Sequence, residues 1–177
     1  MERQIDGREK WYALYTRSRA EKKLYTLLTQ KGIDCYLPLK KTLRQYSDRK
    51  KWVEEPLLRC YLFVRISQRE YFEVLNTAGA VRFVCQEGKA AAIPESQMLA
   101  LQHFVLSKPK DVQVEVGQLA AGDLMEITDG PLRGVRGELQ QIRGHHRLLL
   151  RFHSLGFCVH TEVSLAEVKR IEKQQVA

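Results

Sequence analysis

The chain contains no apolar run approaching the ~18 residues that a membrane-spanning helix needs, so none of its 177 residues is expected in a helical span. Its opening, Met1 to Lys10, is charged and lacks the apolar core of a secretory leader, so no such export signal is expected. Cysteine is scarce. Cys35, Cys60, Cys85 and Cys158 stand far apart with no Cys-x-x-Cys pair, a spacing that does not suit a disulfide framework. The first three lie in apolar stretches, where a reduced thiol behaves as a small hydrophobe. These absences point to a soluble, cytoplasmic protein with inert thiols and no membrane partner.

Catalytic signatures are missing too. Gly130-Pro131-Leu132-Arg133-Gly134-Val135-Arg136-Gly137 is glycine-rich, but a phosphate loop needs Gly-Lys followed by Ser or Thr and then a helix. Bends and close backbone approach explain these glycines more simply. His145, His146, His153 and His160, with Cys158, lack the convergent paired spacing of a zinc site. No Ser-His-Asp, Cys-His or paired-carboxylate arrangement has local support. The expectation is a protein that is not an enzyme and uses no cofactor or metal.

What the chain does have is positive charge, unevenly spread. Residues 1–108 hold 20 basic and 12 acidic side chains, while residues 109–177 hold 9 of each. The entire net charge of +8 therefore sits in the first part. Such asymmetry suggests that one part meets a polyanion and the other does a different job. With 44% hydrophobic residues the chain can build a core, and its length admits one ordinary domain or two small ones.

Trp11-Tyr12-Ala13-Leu14-Tyr15 reads as a strand rich in aromatic residues. Ser18 and Glu21 have capping-box spacing, and Ala20, Leu24, Leu27 and Leu28 then make one apolar helical stripe that Gly32 is placed to end. Arg17, Arg19, Lys22 and Lys23 cluster at the start of this helix. Ile33 to Leu37 reads as a second strand. From Lys40 to Lys51 there is no apolar periodicity, and Lys40, Lys41, Arg44, Arg49, Lys50 and Lys51 face Asp48 alone. That stretch predicts an exposed hairpin or loop. It is either a solvated turn or a finger on phosphates, and Tyr46 and Trp52 beside it favour the finger. Leu57 to Ile66, opened by Pro56, reads as a central strand. A short helix from Gln68 to Leu75, a strand from Val81 to Cys85 and a helix opened by Pro94 complete an α+β pattern, a mainly antiparallel sheet packed with helices.

Ser107 to Glu115 is polar and contains a proline, which predicts a linker. Beyond it come five short strands separated by turns: Leu124–Thr128, Gly137–Ile142, Arg147–Phe152, Phe157–Glu162 and Val168–Ile171. They describe a small closed β-barrel. The turns fall at Asp129-Gly130-Pro131, Arg143-Gly144-His145-His146, Ser154-Leu155-Gly156 and Ser164-Leu165-Ala166.

Trp11-Tyr12-Ala13-Leu14-Tyr15-Thr16-Arg17-Ser18-Arg19-Ala20-Glu21 resembles the opening of NusG-type transcription elongation factors. Glu55-Pro56-Leu57-Leu58-Arg59-Cys60-Tyr61-Leu62-Phe63-Val64 is similar to their P-L-F-P-G-Y-V-F-V strand, and Gly117–Ile171 resembles their KOW domain. The short length and the Arg147–Phe152 strand look closest to the specialised RfaH and UpxY-type antiterminators. One departure is Arg59-Cys60, where the family has Pro-Gly. Glycine tolerates a positive φ there, whereas cysteine does so only at a cost.

The resemblance implies an NGN-like domain over 8–107, a linker over 108–116 and a five-stranded, SH3-like KOW barrel over 117–173. It implies a monomeric factor for transcription elongation or antitermination that binds the clamp helices of RNA polymerase through an aromatic patch. The matching residues are Tyr15, Tyr61 and Phe63. Tyr61 and Phe63 share one strand face because their spacing is two, and membership of the core is the competing reading. Arg17, Arg19, Lys22 and Lys23 correspond to a surface near non-template or upstream DNA, to which the basic stretch of Arg44, Arg49, Lys50 and Lys51 would add. Ordinary solvation of a helix start is the alternative. Leu155 occupies the position of an apolar contact in the KOW domain, whose partner would be a ribosomal protein or the termination factor Rho. The alternative function is a KOW-containing RNA-binding or ribosome-associated protein, which would need basic residues on the barrel.

Overall fold

The computed structural model describes residues 7–45, 47–107, 112–116 and 122–171. Tyr46, linker positions 108–111, and positions 117–121 and 172–173 of the expected second domain lie outside the described residues. Backbone proximity divides the chain into two compact units, Met1–Leu39 with Glu54–Met98, and Lys40–Val53 with Leu99–Ala177.

In chain order the first part comprises β1 (Lys10–Thr16), α1 (Glu21–Gln30), β2 (Asp34–Tyr36), β3 (Leu39–Gln45), β4 (Lys50–Pro56), β5 (Tyr61–Ile66), α2 (Tyr71–Leu75), β6 (Ala80–Phe83), β7 (Cys85–Gln86), β8 (Lys89–Ala90), β9 (Ala92–Ile93) and α3 (Glu95–Ser107). The main sheet of the first unit has the order β2-β5-β1-β6, with β9 also paired to β1. Every pair in it is antiparallel. Side chains alternate across a strand, so Tyr12 and Leu14 of β1 join Leu62, Val64 and Ile66 of β5 in one core. Leu24 and Leu28 of α1, Val74 of α2 and Phe83 of β6 belong to the same cluster. Leu24 and Leu28 lose all their exposure, a burial that contributes about 1.5–3 kcal/mol each. On the opposite sheet face Trp11, Ala13 and Phe63 are buried as well. Both faces of the central strands are thus covered, which is why they read as nearly continuous apolar runs.

Two local expectations fail for non-local reasons. Ser18 does not cap α1: the N-cap is Ala20, with no side-chain cap bond. Glu21 is buried and accepts the Cys60 N–H at 2.8 Å instead. The strand expected from Leu57 begins only at Tyr61, because Leu57 and Leu58 are buried in the connection after β4 and the Leu57 N–H donates to the Pro38 carbonyl at 2.8 Å. Capping-box geometry does occur elsewhere. Ser164 and Glu167 bond reciprocally across the 3-10 turn at Leu165–Glu167.

Residues 113–170 contain β10 (Gln113–Val116), β11 (Asp123–Ile127), β12 (Arg136–Ile142), β13 (His145–Phe152), β14 (Phe157–Glu162) and β15 (Val168–Arg170). They form one antiparallel sheet in the order β10-β14-β13-β12-β11-β15. Five of these strands are those the alternation predicts. The sixth, β10, lies in the segment read as a linker. Its pairing with Phe157–His160 of β14 is a long-range event that polar local sequence conceals. Among the described residues the strand path is open, and β10 and β15 end it without pairing to each other. Arg143 and Gly144 have φ of 52° and 83°, the positive pair of a type I′ turn. The turn therefore needs only two residues, and His145 and His146 are strand residues rather than part of it. Gly137 sits where an added Cβ would lie 2.6 Å from the Leu149 carbonyl oxygen, the close backbone approach expected of a glycine in this sheet.

Candidate interaction surface

One end of the first-unit sheet gathers aromatic and basic side chains. Tyr15 stands opposite Tyr61 in the β1–β5 register and opposite Arg82 in the β1–β6 register. The two tyrosine rings meet edge to face with centroids 5.5 Å apart, an arrangement that suits the ring quadrupoles. The Arg82 guanidinium lies 5.9 Å from the centre of the Tyr15 ring, within cation–π range. Tyr15 is 36% exposed, and Tyr61 is half-buried. Burial, followed by the neighbouring Tyr15, pushes the Tyr61 hydroxyl pKa up, while Arg82 opposes the rise.

Phe63 does not share this surface. It is fully buried, so the competing reading, membership of the core, is the correct one for it. The two-residue spacing correctly puts Tyr61 and Phe63 on one sheet face, but that face is open only at its end. Arg82 was missed by sequence reading. Its only local signal is its place in a predicted strand, and the register that sets it against Tyr15 is a tertiary fact.

The backbone continues from this aromatic end into the basic connection. The Thr16 N–H donates to the Cys60 carbonyl and the Arg17 N–H to the Gly79 carbonyl, both at 2.9 Å. Arg19 adopts a φ of 61°, which turns the chain into α1. Arg17, Arg19, Lys22 and Lys23 are all exposed. Lys22 differs from the others because its Nζ donates to the Glu54 carbonyl at 2.7 Å. Cys60, which opens β5, has a φ of 63°, the conformation for which glycine would be cheaper.

The other expected site residues lie in the second unit. Arg44, Arg49, Lys50 and Lys51 belong to the β3–β4 ribbon and are exposed. Arg49 approaches Asp48 at 3.9 Å. Leu155 closes a 3-10 turn between β13 and β14 and is half-buried. Cys85 is exposed, unlike the hydrophobe-like thiol expected, and Cys158 is buried. Among the described residues no three His, Cys, Asp or Glu side chains are grouped to hold a metal ion, and no helix is long and apolar enough to cross a membrane. The geometry offers binding surfaces: an aromatic pair beside a guanidinium, and two exposed basic segments.

Comparison with known proteins bears on the fold and the family. A solved structure described as "Domain interaction in Thermotoga maritima NusG" is similar over 93% of this chain and 98% of that one, at 20% identity and a TM-score of 0.52. At that identity the likeness speaks for the fold. The MjSpt4:Spt5 complex in conformation B aligns over 93% of this chain and 99% of that chain, with 16% identity and a TM-score of 0.32, too low to carry an argument. The family model described as "Transcription termination factor nusG" matches residues 9–102, more than half of the sequence and the stretch that contains Tyr15, Tyr61 and Arg82. The chain belongs to the NusG family of transcription factors.

Proposed function

We propose that this protein is an elongation or antitermination factor that binds the clamp helices of RNA polymerase through Tyr15, Tyr61 and Arg82. The observation that carries the reading is the accessible Tyr15–Tyr61 pair with Arg82 beside it, within the residues that the family model matches. Aromatic and arginine side chains dominate binding energy at protein interfaces. A factor of this kind makes and breaks no bonds. It suppresses pausing or termination by binding the elongating state of polymerase more tightly than the paused state.

The domain limits 8–107 and 117–173 frame this reading, with the second domain closing its sheet into a KOW barrel. Leu155 is its contact for a ribosomal protein or Rho. The net neutrality of residues 109–177 supports a protein partner there over RNA. Arg17, Arg19, Lys22 and Lys23, with the ribbon residues Arg44, Arg49, Lys50 and Lys51, contact non-template or upstream DNA through phosphates. Membership of the specialised RfaH and UpxY-type branch adds that the factor acts on a few long operons. Genome-wide occupancy alongside polymerase tests that point, and uniform occupancy would identify a general factor.

The central test is the double variant Tyr15→Ala, Tyr61→Ala. Its affinity for core RNA polymerase should fall about 30-fold or more, the scale of an interface hot spot, with an unchanged melting profile of the second domain. Unchanged affinity would refute the surface.

A further inference from the structure

In the β3–β4 ribbon every described residue from Leu43 to Trp52 is exposed. Trp52 keeps 54% of its surface open and Leu43 46%. An indole is a costly group to leave in water, since an aromatic side chain carries on the order of 150–250 Å² that folding normally buries. Arg44, Arg49, Lys50 and Lys51 stand against Asp48 as the one acidic residue of the stretch. The Arg49–Asp48 contact joins side chains 73% and 71% exposed, and such a pair offsets little charge. The clustered like charges repel one another within the ribbon. One kind of ligand relieves both costs: a polyanion that presents flat apolar faces between its charges.

We infer that this ribbon is a binding site for unpaired nucleic acid, in which Trp52 stacks on a base and Arg44, Arg49, Lys50 and Lys51 hold the adjoining phosphates. The inference rests on the nucleic-acid reading of the ribbon and is independent of polymerase binding. A duplex supplies the phosphates but keeps its base faces stacked on one another. An anionic lipid surface supplies the charge but calls for a wider apolar face than one indole and one leucine. Single strands offer both features in alternation, and indole stacking on them is tolerant of sequence.

The test uses the full chain and needs no polymerase. A single-stranded DNA of about 12 nucleotides, within the usual site size, the same length of duplex, and phosphatidylserine vesicles are titrated separately. The only other tryptophan, Trp11, is 5% exposed, so quenching of emission reports on Trp52. The single strand should quench emission and bind more tightly than the duplex. By anisotropy of a labelled strand, Trp52→Ala should weaken binding about 10-fold or more without changing the salt slope, and Trp52→Phe should recover most of the loss. Lys50→Glu with Lys51→Glu should instead reduce the slope of affinity against salt. Equal affinity for duplex with no effect of Trp52→Ala would overturn the stacking role, and binding to vesicles alone would overturn the ligand class. The Tyr15→Ala, Tyr61→Ala variant should keep full affinity for the strand, so that failure of either proposal is read separately.

Discussion

Cys60 shows how one residue ties the sequence to the surface it supports. Its φ of 63° places an L-residue in a region that costs about 1–2 kcal/mol. Two bonds hold it there: its N–H donates to Glu21 Oε1 and its carbonyl accepts the Thr16 N–H. Cys60→Gly should therefore raise stability by up to ~1 kcal/mol, since relief of strain exceeds the ~0.5–1 kcal/mol entropic penalty of glycine. Chemical denaturation checks it, and a destabilised variant would mean that the thiol packing outweighs the strain. Glu21→Ala removes the acceptor from a partly buried N–H and should cost about 1–3 kcal/mol in the same assay. Loss of that anchor should also loosen the start of β5, and with it the position of Tyr61.

At the scale of elements, β12, β13 and β14 are braced by charge. Arg151 donates from Nε to Glu138 Oε1 at 3.1 Å and from Nη2 to Oε2 at 2.8 Å, and Glu138 also accepts the Gly122 N–H at 3.2 Å. Both side chains are less than a quarter exposed. The Arg151 hydrogen bonds, ahead of an opposing burial cost, hold the Glu138 pKa below its ordinary value of 4.5. A lowered native pKa means that this stabilisation is present above pH 4.5 and is lost as pH falls through the native value. Glu138→Gln should cost about 1–3 kcal/mol at pH 7 and lose less on further acidification, as measured by melting temperature against pH. A second group acts nearer neutrality. His160 is buried with its Nδ1 3.2 Å from Arg147 Nη1. A guanidinium can only donate, so Nδ1 must be the bare acceptor and the ring neutral. Burial, then Arg147, with Arg143 adding and Glu115 opposing, lowers its pKa from 6.5. Its contribution is present above pH 6.5 and is lost as pH falls through the depressed native value. His160→Gln should flatten that part of the profile. An unchanged profile would show that His160 does not titrate with unfolding.

For the whole molecule the decisive quantity is where charge lies, since net charge governs association more than fold. Reversal of Arg17, Arg19 and Lys23 to Glu should weaken DNA binding and reduce the slope of log affinity against log salt, by roughly 0.7–0.9 for each phosphate no longer neutralised. An unchanged slope would remove the start of α1 from the DNA surface. The net-neutral stretch of residues 109–177 serves as an internal control. Charge reversal at exposed positions of residues 122–171 should leave the slope as it is.

Much of this organisation was legible in the chain because it is local. The apolar stripe that places Leu24 and Leu28, the alternation that locates β11 to β15, and the basic non-periodic stretch that becomes the β3–β4 ribbon all depend on neighbours within a few residues. The aromatic site was legible only in part. Tyr15 and Tyr61 were found from motif and spacing, yet no sequence pattern distinguishes the open end of a sheet face from its covered middle, where Phe63 lies. Arg82 escaped for the same reason, being brought to Tyr15 by strand register across more than sixty intervening residues. Glu21 had the right spacing for a cap and took a different partner, because the Cys60 N–H is supplied from the sequence-distant turn before β5. The sequence by itself determined the main helices and strands and the basic ribbon, since propensity and periodicity act locally, but not β10, whose pairing with β14 is long-range. Only the tertiary structure decided which tyrosines, arginines and carboxylates face one another, since register and burial are set by long-range pairing.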